Sequence, residues 1–155
     1  MFGDDPDIVT GASYRDILIG AGGDDELRGR KGADRIEGGL GRDQVMGGNG
    51  ADDLFGGAGN DLIFGGYGHD TITGGGGDDQ IRGGFGGDLF VWSTGHDVIE
   101  DFRLSENDRI GLHAGMDYEL RQQADGLDLL TSMGVITLWG VDLDGFLAGE
   151  RLVKL

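Results

Sequence analysis

Residues Gly20 to Val91 read GAGGDDELR, GRKGADRIE, GGLGRDQVM, GGNGADDLF, GGAGNDLIF, GGYGHDTIT, GGGGDDQIR and GGFGGDLFV, eight nonapeptides in one unbroken phase. Each carries glycine at its first and fourth positions, aspartate at its sixth and an apolar residue at its eighth. A fixed short period is the mark of a repeat architecture, in which a unit too small to bury an apolar face alone stacks on its neighbours. The phase runs outward and decays. Gly11 to Ile19 (GASYRDILI) keeps Asp16 and Leu18 but has Tyr14 at the fourth position, and Phe2 to Thr10 keeps only Asp7 and Val9. Trp92 to Glu100 (WSTGHDVIE) keeps Gly95, Asp97 and Ile99 but begins with tryptophan. Eleven consecutive frames therefore carry the aspartate and the apolar residue.

The composition narrows the partners. The chain has 155 residues with 35 glycines, one proline and no cysteine. Collagen is excluded by the single proline, and the regular apolar positions exclude a flexible linker. A formal charge of −17 repels nucleic acid and anionic membrane and makes polyvalent cations the natural counterpart. Without cysteine there is no disulfide framework, zinc thiolate or thiol nucleophile, so packing or hard metal ions must hold the fold. No stretch approaches the roughly 18 apolar residues of a membrane span. Residues 1–30 lack the charged start and apolar run of a signal peptide, so export is expected to use a signal other than a cleaved N-terminal one.

The repeat pattern resembles that of the RTX (repeats-in-toxin) family, specifically the C-terminal region of serralysin-type secreted metalloproteases and related exoenzymes. The nonapeptides carry the resemblance strongly over residues 11–91. The stretch Leu89 to Leu112, LFVWSTGHDVIEDFRLSENDRIGL, resembles the segment that closes the array in those proteins, and TLWGVDLDGFLAGERLV resembles their C-terminal ending. The final GERLVKL, with Lys154 near the terminus, departs from the acidic-then-apolar close of those relatives.

The residue types account for a shape on their own. Glycine-rich positions one to six suit tight turns with positive φ, and positions seven to nine suit a three-residue strand. Only position eight then points inward: Val9, Leu18, Leu27, Ile36, Val45, Leu54, Ile63, Ile72, Ile81, Phe90 and Ile99. A strand about 10 Å long encloses no core, so two repeats are expected to form one coil, with coils stacking every eighteen residues at about 4.8 Å. The expected class is all-β, a right-handed parallel β-roll over residues 1–100, closed by a C-terminal β-strand cap at 101–155. Full motifs occupy 20–91, and 2–19 and 92–100 are degraded frames.

Stacking brings each position-six aspartate near the one two repeats later, beside glycine carbonyls. Calcium takes six to eight oxygen ligands in irregular geometry, whereas magnesium prefers strict octahedra with retained waters. A column of carboxylates without cations pushes itself apart, by about 0.8 kcal/mol per pair at about 5 Å even in water. The resemblance implies as ligands the position-six carboxylates and carbonyls from roughly positions one to four of two loops in register. The residues so marked are Gly20, Gly23, Asp25; Gly29, Gly32, Asp34; Gly38, Gly41, Asp43; Gly47, Gly50, Asp52; Gly56, Gly59, Asp61; Gly65, Gly68, Asp70; Gly74, Gly77, Asp79; and Gly83, Gly86, Asp88. Full motifs pair as Asp25/Asp43, Asp34/Asp52, Asp43/Asp61, Asp52/Asp70, Asp61/Asp79 and Asp70/Asp88, with Asp16/Asp34 and Asp79/Asp97 as degraded candidates, for about six to eight calcium ions.

From Asp101 the phase slips into alternating strands expected at 108–112, 118–124, 127–132 and 135–140, with turns at Asp125-Gly126 and Met133-Gly134. A helical turn is expected over 141–148 and a last strand over 151–155. Trp92, Phe102, Ile110 and Leu112 are expected to cover the last coil, and Trp139 and Phe146 to lie in the core. Met46, Leu62 and Phe64 should adjoin on one outer face, a surface to dock a catalytic domain, a sugar or the closing segment. Arg28, Arg30, Lys31, Arg35 and Arg42 are read as neutralising nearby acids, or as a patch for anionic polysaccharide. His69, His96 and His113 are read as solvated or structural.

No HExxH, GxSxG or P-loop motif is present, so the module is expected to be non-catalytic. The resemblance implies a calcium-binding module of a secreted protein of a Gram-negative bacterium, disordered at low calcium and folded outside the cell. It also implies an upstream catalytic or toxin domain that the module stabilises or chaperones, and export by type I secretion machinery. The alternative is a carbohydrate-binding module for an alginate-like polysaccharide.

Overall fold

The computed structural model describes residues 3–149 and 151–155. Met1, Phe2 and Glu150 lie outside them, and with them the first position of the outermost frame and the glutamate of the GERLVKL ending. After β1 (Ile8–Thr10) come eight strands of six residues: β2 (Ile17–Gly22), β3 (Glu26–Lys31), β4 (Arg35–Leu40), β5 (Gln44–Asn49), β6 (Asp53–Ala58), β7 (Leu62–Tyr67), β8 (Thr71–Gly76) and β9 (Gln80–Phe85). Two shorter strands, β10 (Leu89–Val91) and β11 (Gly95–Ile99), end the repeat region. The chain continues as β12 (Arg109–Leu112), β13 (Glu119–Gln122), β14 (Gly126–Thr131), β15 (Gly134–Trp139), the helix α1 (Leu143–Ala148) and β16 (Leu152–Lys154).

Through β13 odd and even strands separate into two sheets, and β14 then joins the odd one; the orders are β1-β3-β5-β7-β9-β11-β15-β14-β13 and β16-β12-β10-β8-β6-β4-β2. Pairing within the array is parallel and in register at eighteen residues, so Leu27, Val45, Ile63 and Ile81 form one inner row. Leu18, Ile36, Leu54, Ile72 and Phe90 form the facing row. These residues are buried, as expected of position eight, and each such side chain contributes about 1.5–3 kcal/mol on leaving water. The result is an all-β parallel β-roll.

The strands are twice as long as expected, because they run from position seven through position three of the next repeat. The first-position glycines are therefore strand residues, buried with alternate positions of the same strand. They are glycine because the next coil approaches too closely for a side chain: a Cβ on Gly38 would collide with the carbonyl of Gly56 and the carboxylate of Asp43. Positive φ falls instead at positions two and four, for example 122° at Gly57 and 137° at Gly59. Two second positions hold other residues in that region, Ala21 at 82° and Arg30 at 81°.

The closing segment prolongs both sheets. Parallel pairing joins β12 to β10 and to β16, and β15 to β11. Antiparallel hairpins then add β14 to β15 and β13 to β14, reversing at Ala124-Asp125 and Ser132-Met133, one residue before the expected turns, because Gly126 and Gly134 already pair as the first residues of β14 and β15. Trp92, Phe102, Ile110, Leu112 and Phe146 are buried, with ring centroids 5.8 Å apart for Phe90–Phe102 and 6.0 Å for Phe102–Phe146. Trp139 is not in the core. It is 52% exposed, because Ile136 and Leu138 take the inward positions of β15 and strand alternation turns Trp139 outward. No helix among the described residues is long and apolar enough to cross a membrane.

Candidate metal centre

Each loop ends on its position-six aspartate just before the next strand, and the stacking puts these aspartates in two columns along the sides of the roll. The contact is direct. Oδ1 of Asp43 accepts the backbone N–H of Asp25 at 2.8 Å, and Oδ1 of Asp61 accepts that of Asp43 at 2.8 Å. The same bond links Asp34 to Asp52, Asp52 to Asp70, Asp61 to Asp79 and Asp70 to Asp88. It also joins Asp16 to Asp34, Asp79 to Asp97 and, at the amino end, Asp7 to Asp25. One carboxylate oxygen per repeat thus locks the coil register.

The other oxygen is left over. Oδ2 of Asp25, Asp34, Asp43, Asp52, Asp61, Asp70, Asp79 and Asp88 is buried without a hydrogen-bond partner. Buried polar atoms of native proteins almost always have partners, so a row of eight orphaned carboxylate oxygens calls for a cation. From Gly20 through Gly65, the space beside each first-position glycine is lined by Oδ2 of its own repeat and by the first-position carbonyl of the repeat two further on. Asp25 thus faces the carbonyl of Gly38, Asp43 that of Gly56, and Asp61 that of Gly74. At Gly74 and Gly83 the nearest atoms are instead the repeat's own aspartate and, at Gly83, the ring of Phe90. The fourth-position glycines stack likewise, with the carbonyl of Gly41 directed at Gly59 and that of Gly50 at Gly68.

At the array's ends the protein itself occupies Oδ2. Asp16 Oδ2 accepts the N–H of Ala12 at 2.6 Å, and Asp97 Oδ2 accepts the hydroxyl of Ser93 at 2.7 Å. Among the described residues no three acidic or imidazole side chains converge on one point. Donors are therefore one or two carboxylates per gap with backbone carbonyls for the rest, a hard oxygen set that suits calcium and not a thiolate- or imidazole-seeking metal.

Burial, and secondarily the neighbouring aspartates, penalise the charged form. The carboxyls of Asp43, Asp61 and Asp88 are pushed up to about 6 and that of Asp70 to about 7. Asp52, Asp79, Asp97 and Asp108 move in the same direction for the same first cause. The fold without a cation is thus electrostatically stressed at neutral pH.

One member of the column has no counterpart in the nine-residue reading. Asp108 Oδ1 accepts the N–H of Asp88 at 2.9 Å across twenty residues rather than eighteen. Its signal is local: Asp108-Arg109-Ile110 copies Asp34-Arg35-Ile36 after a two-residue insertion. The other features lie on the outer surface. Met46 and Phe64 are register partners, and Arg82 sits 5.8 Å from the Phe64 ring. Arg28 pairs with Glu26, and Arg35 pairs with Asp53 at 2.6 Å. Exposed His69 bonds the backbone of Gly87, and His96 lies 3.8 Å from Asp78.

The chain matches the family model of the RTX calcium-binding nonapeptide repeat (4 copies) over residues 3–36, 29–63 and 55–90, more than half its length. No curated protein sequence matches it. Among solved structures, the extracellular lipase LipA from Serratia marcescens is similar at a TM-score of 0.52 and 21% identity, covering 97% of this chain and 38% of the lipase. The AlgE6R3 subunit of the Azotobacter vinelandii mannuronan C5-epimerase is 26% identical over 92% of this chain and 80% of its own, with a TM-score of 0.34. Orphaned carboxylate columns, glycine loops in register and the matched repeats lead to one conclusion: the chain belongs to the RTX calcium-binding nonapeptide repeat family.

Proposed function

We propose that calcium fills the gaps between successive loops on each side of the roll and that this filling drives folding. Six gaps pair an orphaned aspartate oxygen with a first-position carbonyl, beginning with Asp25 and Gly38 and ending with Asp70 and Gly83, and each would take one ion. The Asp16/Asp34 and Asp79/Asp97 pairs are weaker, since Asp16 Oδ2 and Asp97 Oδ2 already have protein partners. The observation that carries the reading is the row of eight buried oxygens without partners.

In this reading the module, residues 1–100 with 101–155 as its cap, stays unfolded at the low calcium of a bacterial cytoplasm and folds after release. It passes type I secretion machinery as an extended chain, then stabilises an exoenzyme or toxin domain attached upstream. That it spans 38% of a Serratia extracellular lipase supports an attached catalytic domain and a secreted location. The module itself performs no catalysis. Small-angle scattering with calorimetric calcium titration tests the reading: about six ions should bind as the radius of gyration falls from about 40 Å toward about 15 Å. A radius that does not change with calcium refutes it.

A further inference from the structure

On the column that carries Asp52, Asp70 and Asp88, the last gap lies between the loop Gly83–Asp88 and the closing loop Asp101–Asp108. The groups facing it differ from those upstream. Asp101 accepts the N–H of Gly83 at 2.9 Å and of Gly84 at 3.0 Å, and Glu106 accepts that of Gly86 at 2.7 Å. Two carboxylates are thereby drawn to the gap. Arg103 comes with them: its Nη1 donates to the carbonyl of Gly84 and lies 3.4 Å from Glu106, while Nη2 lies 3.9 Å from Asp101. The guanidinium is held 5.2 Å from the centroid of Phe85, which is itself stacked on Tyr67. The backbone N–H of Arg103 also donates to Oδ2 of Asp108 at 2.7 Å, satisfying the oxygen that every full repeat leaves orphaned.

A backbone carbonyl and two carboxylates around one positive charge form a donor set of the kind calcium takes. A guanidinium, permanently charged and fork-shaped, meets these three groups without an ion and sets its charge in the same gap as the buried Oδ2 of Asp88, to which it makes no hydrogen bond. We propose that Arg103 is the resident cation of this last gap, so that no calcium binds between Gly83–Asp88 and Asp101–Asp108 and the array joins its cap without metal. The inference rests on the reading that calcium fills the upstream gaps.

Anomalous scattering from calcium in crystals of the full chain locates the ions. Ions are expected in the upstream gaps, with none at ligand distance from the Gly84 carbonyl. An ion there overturns this inference alone, whereas a map without ions in any gap overturns the calcium reading and the inference with it. Bound calcium per chain provides a second arm. Arg103→Gln is expected to bind one ion more than the unmodified chain, and Arg103→Lys the same number. An equal count for folded Arg103→Gln contradicts the inference, and if that variant does not fold in calcium the anomalous map decides.

Discussion

Replacing Asp61 by asparagine should act in opposite directions with and without calcium. The amide keeps an oxygen to accept the N–H of Asp43, a bond of 2.8 Å, and its NH₂ group faces the carbonyl of Gly74. What it removes is a buried charge. Burial moves the Asp61 carboxyl from 3.8 to about 6, and at 1.36 kcal/mol per pH unit this stores about 3 kcal/mol in the metal-free fold. The folded group binds its proton more tightly than the unfolded one, so the penalty is absent below about pH 4, grows through pH 6 and is complete above it. In calcium-free buffer with an osmolyte that favours the compact state, Asp61→Asn should therefore stabilise the roll by up to about 3 kcal/mol at pH 7.5 and by almost nothing at pH 4. With calcium present the same change removes an anionic ligand and should raise the calcium needed for folding. Asp7→Asn, in a frame without the glycine loop, should change neither quantity. Urea unfolding followed by circular dichroism measures all of these. An Asp61→Asn chain destabilised in calcium-free buffer at both pH values would refute the electrostatic argument.

Two further outcomes are expected. A chain ending at Val91 keeps every complete motif but loses β11 and β12, the partners of β9 and β10, and the cover of Trp92, Phe102 and Ile110, so it should stay disordered at millimolar calcium, whereas removal of residues 1–19 should cost much less. A 1–91 fragment with the calcium midpoint of the full chain would show the cap to be dispensable. Arg30→Gly should relieve a φ of 81° and lower the calcium midpoint, for a gain of about 1 kcal/mol, and an unchanged or higher midpoint counts against strain at this position.

The inner rows and aspartate columns were legible because each depends only on period. One apolar side chain in nine faces the core, and one carboxylate in nine faces its counterpart eighteen residues on. The strand length was not legible, since Gly38-Gly39 reads locally as a turn and only the close approach of the next coil makes it strand. Trp139 misled because an indole suggests core, while its direction follows from the alternation of Ile136 and Leu138. Asp108 was hidden by two inserted residues, and Arg103 by the lack of any repeat partner that would mark it. Period reveals what repeats, and the ends of an array are built from what does not.

The central claim is that this acidic chain needs calcium in its loop gaps to adopt the roll. Far-UV circular dichroism of the full chain, taken from EGTA through rising calcium with magnesium as control, tests it most directly. The account predicts a disordered spectrum in EGTA, cooperative gain of β signal at about 0.1–1 mM calcium, and no such gain with magnesium at the same concentrations. A complete β signal in EGTA that added calcium leaves unchanged would contradict it.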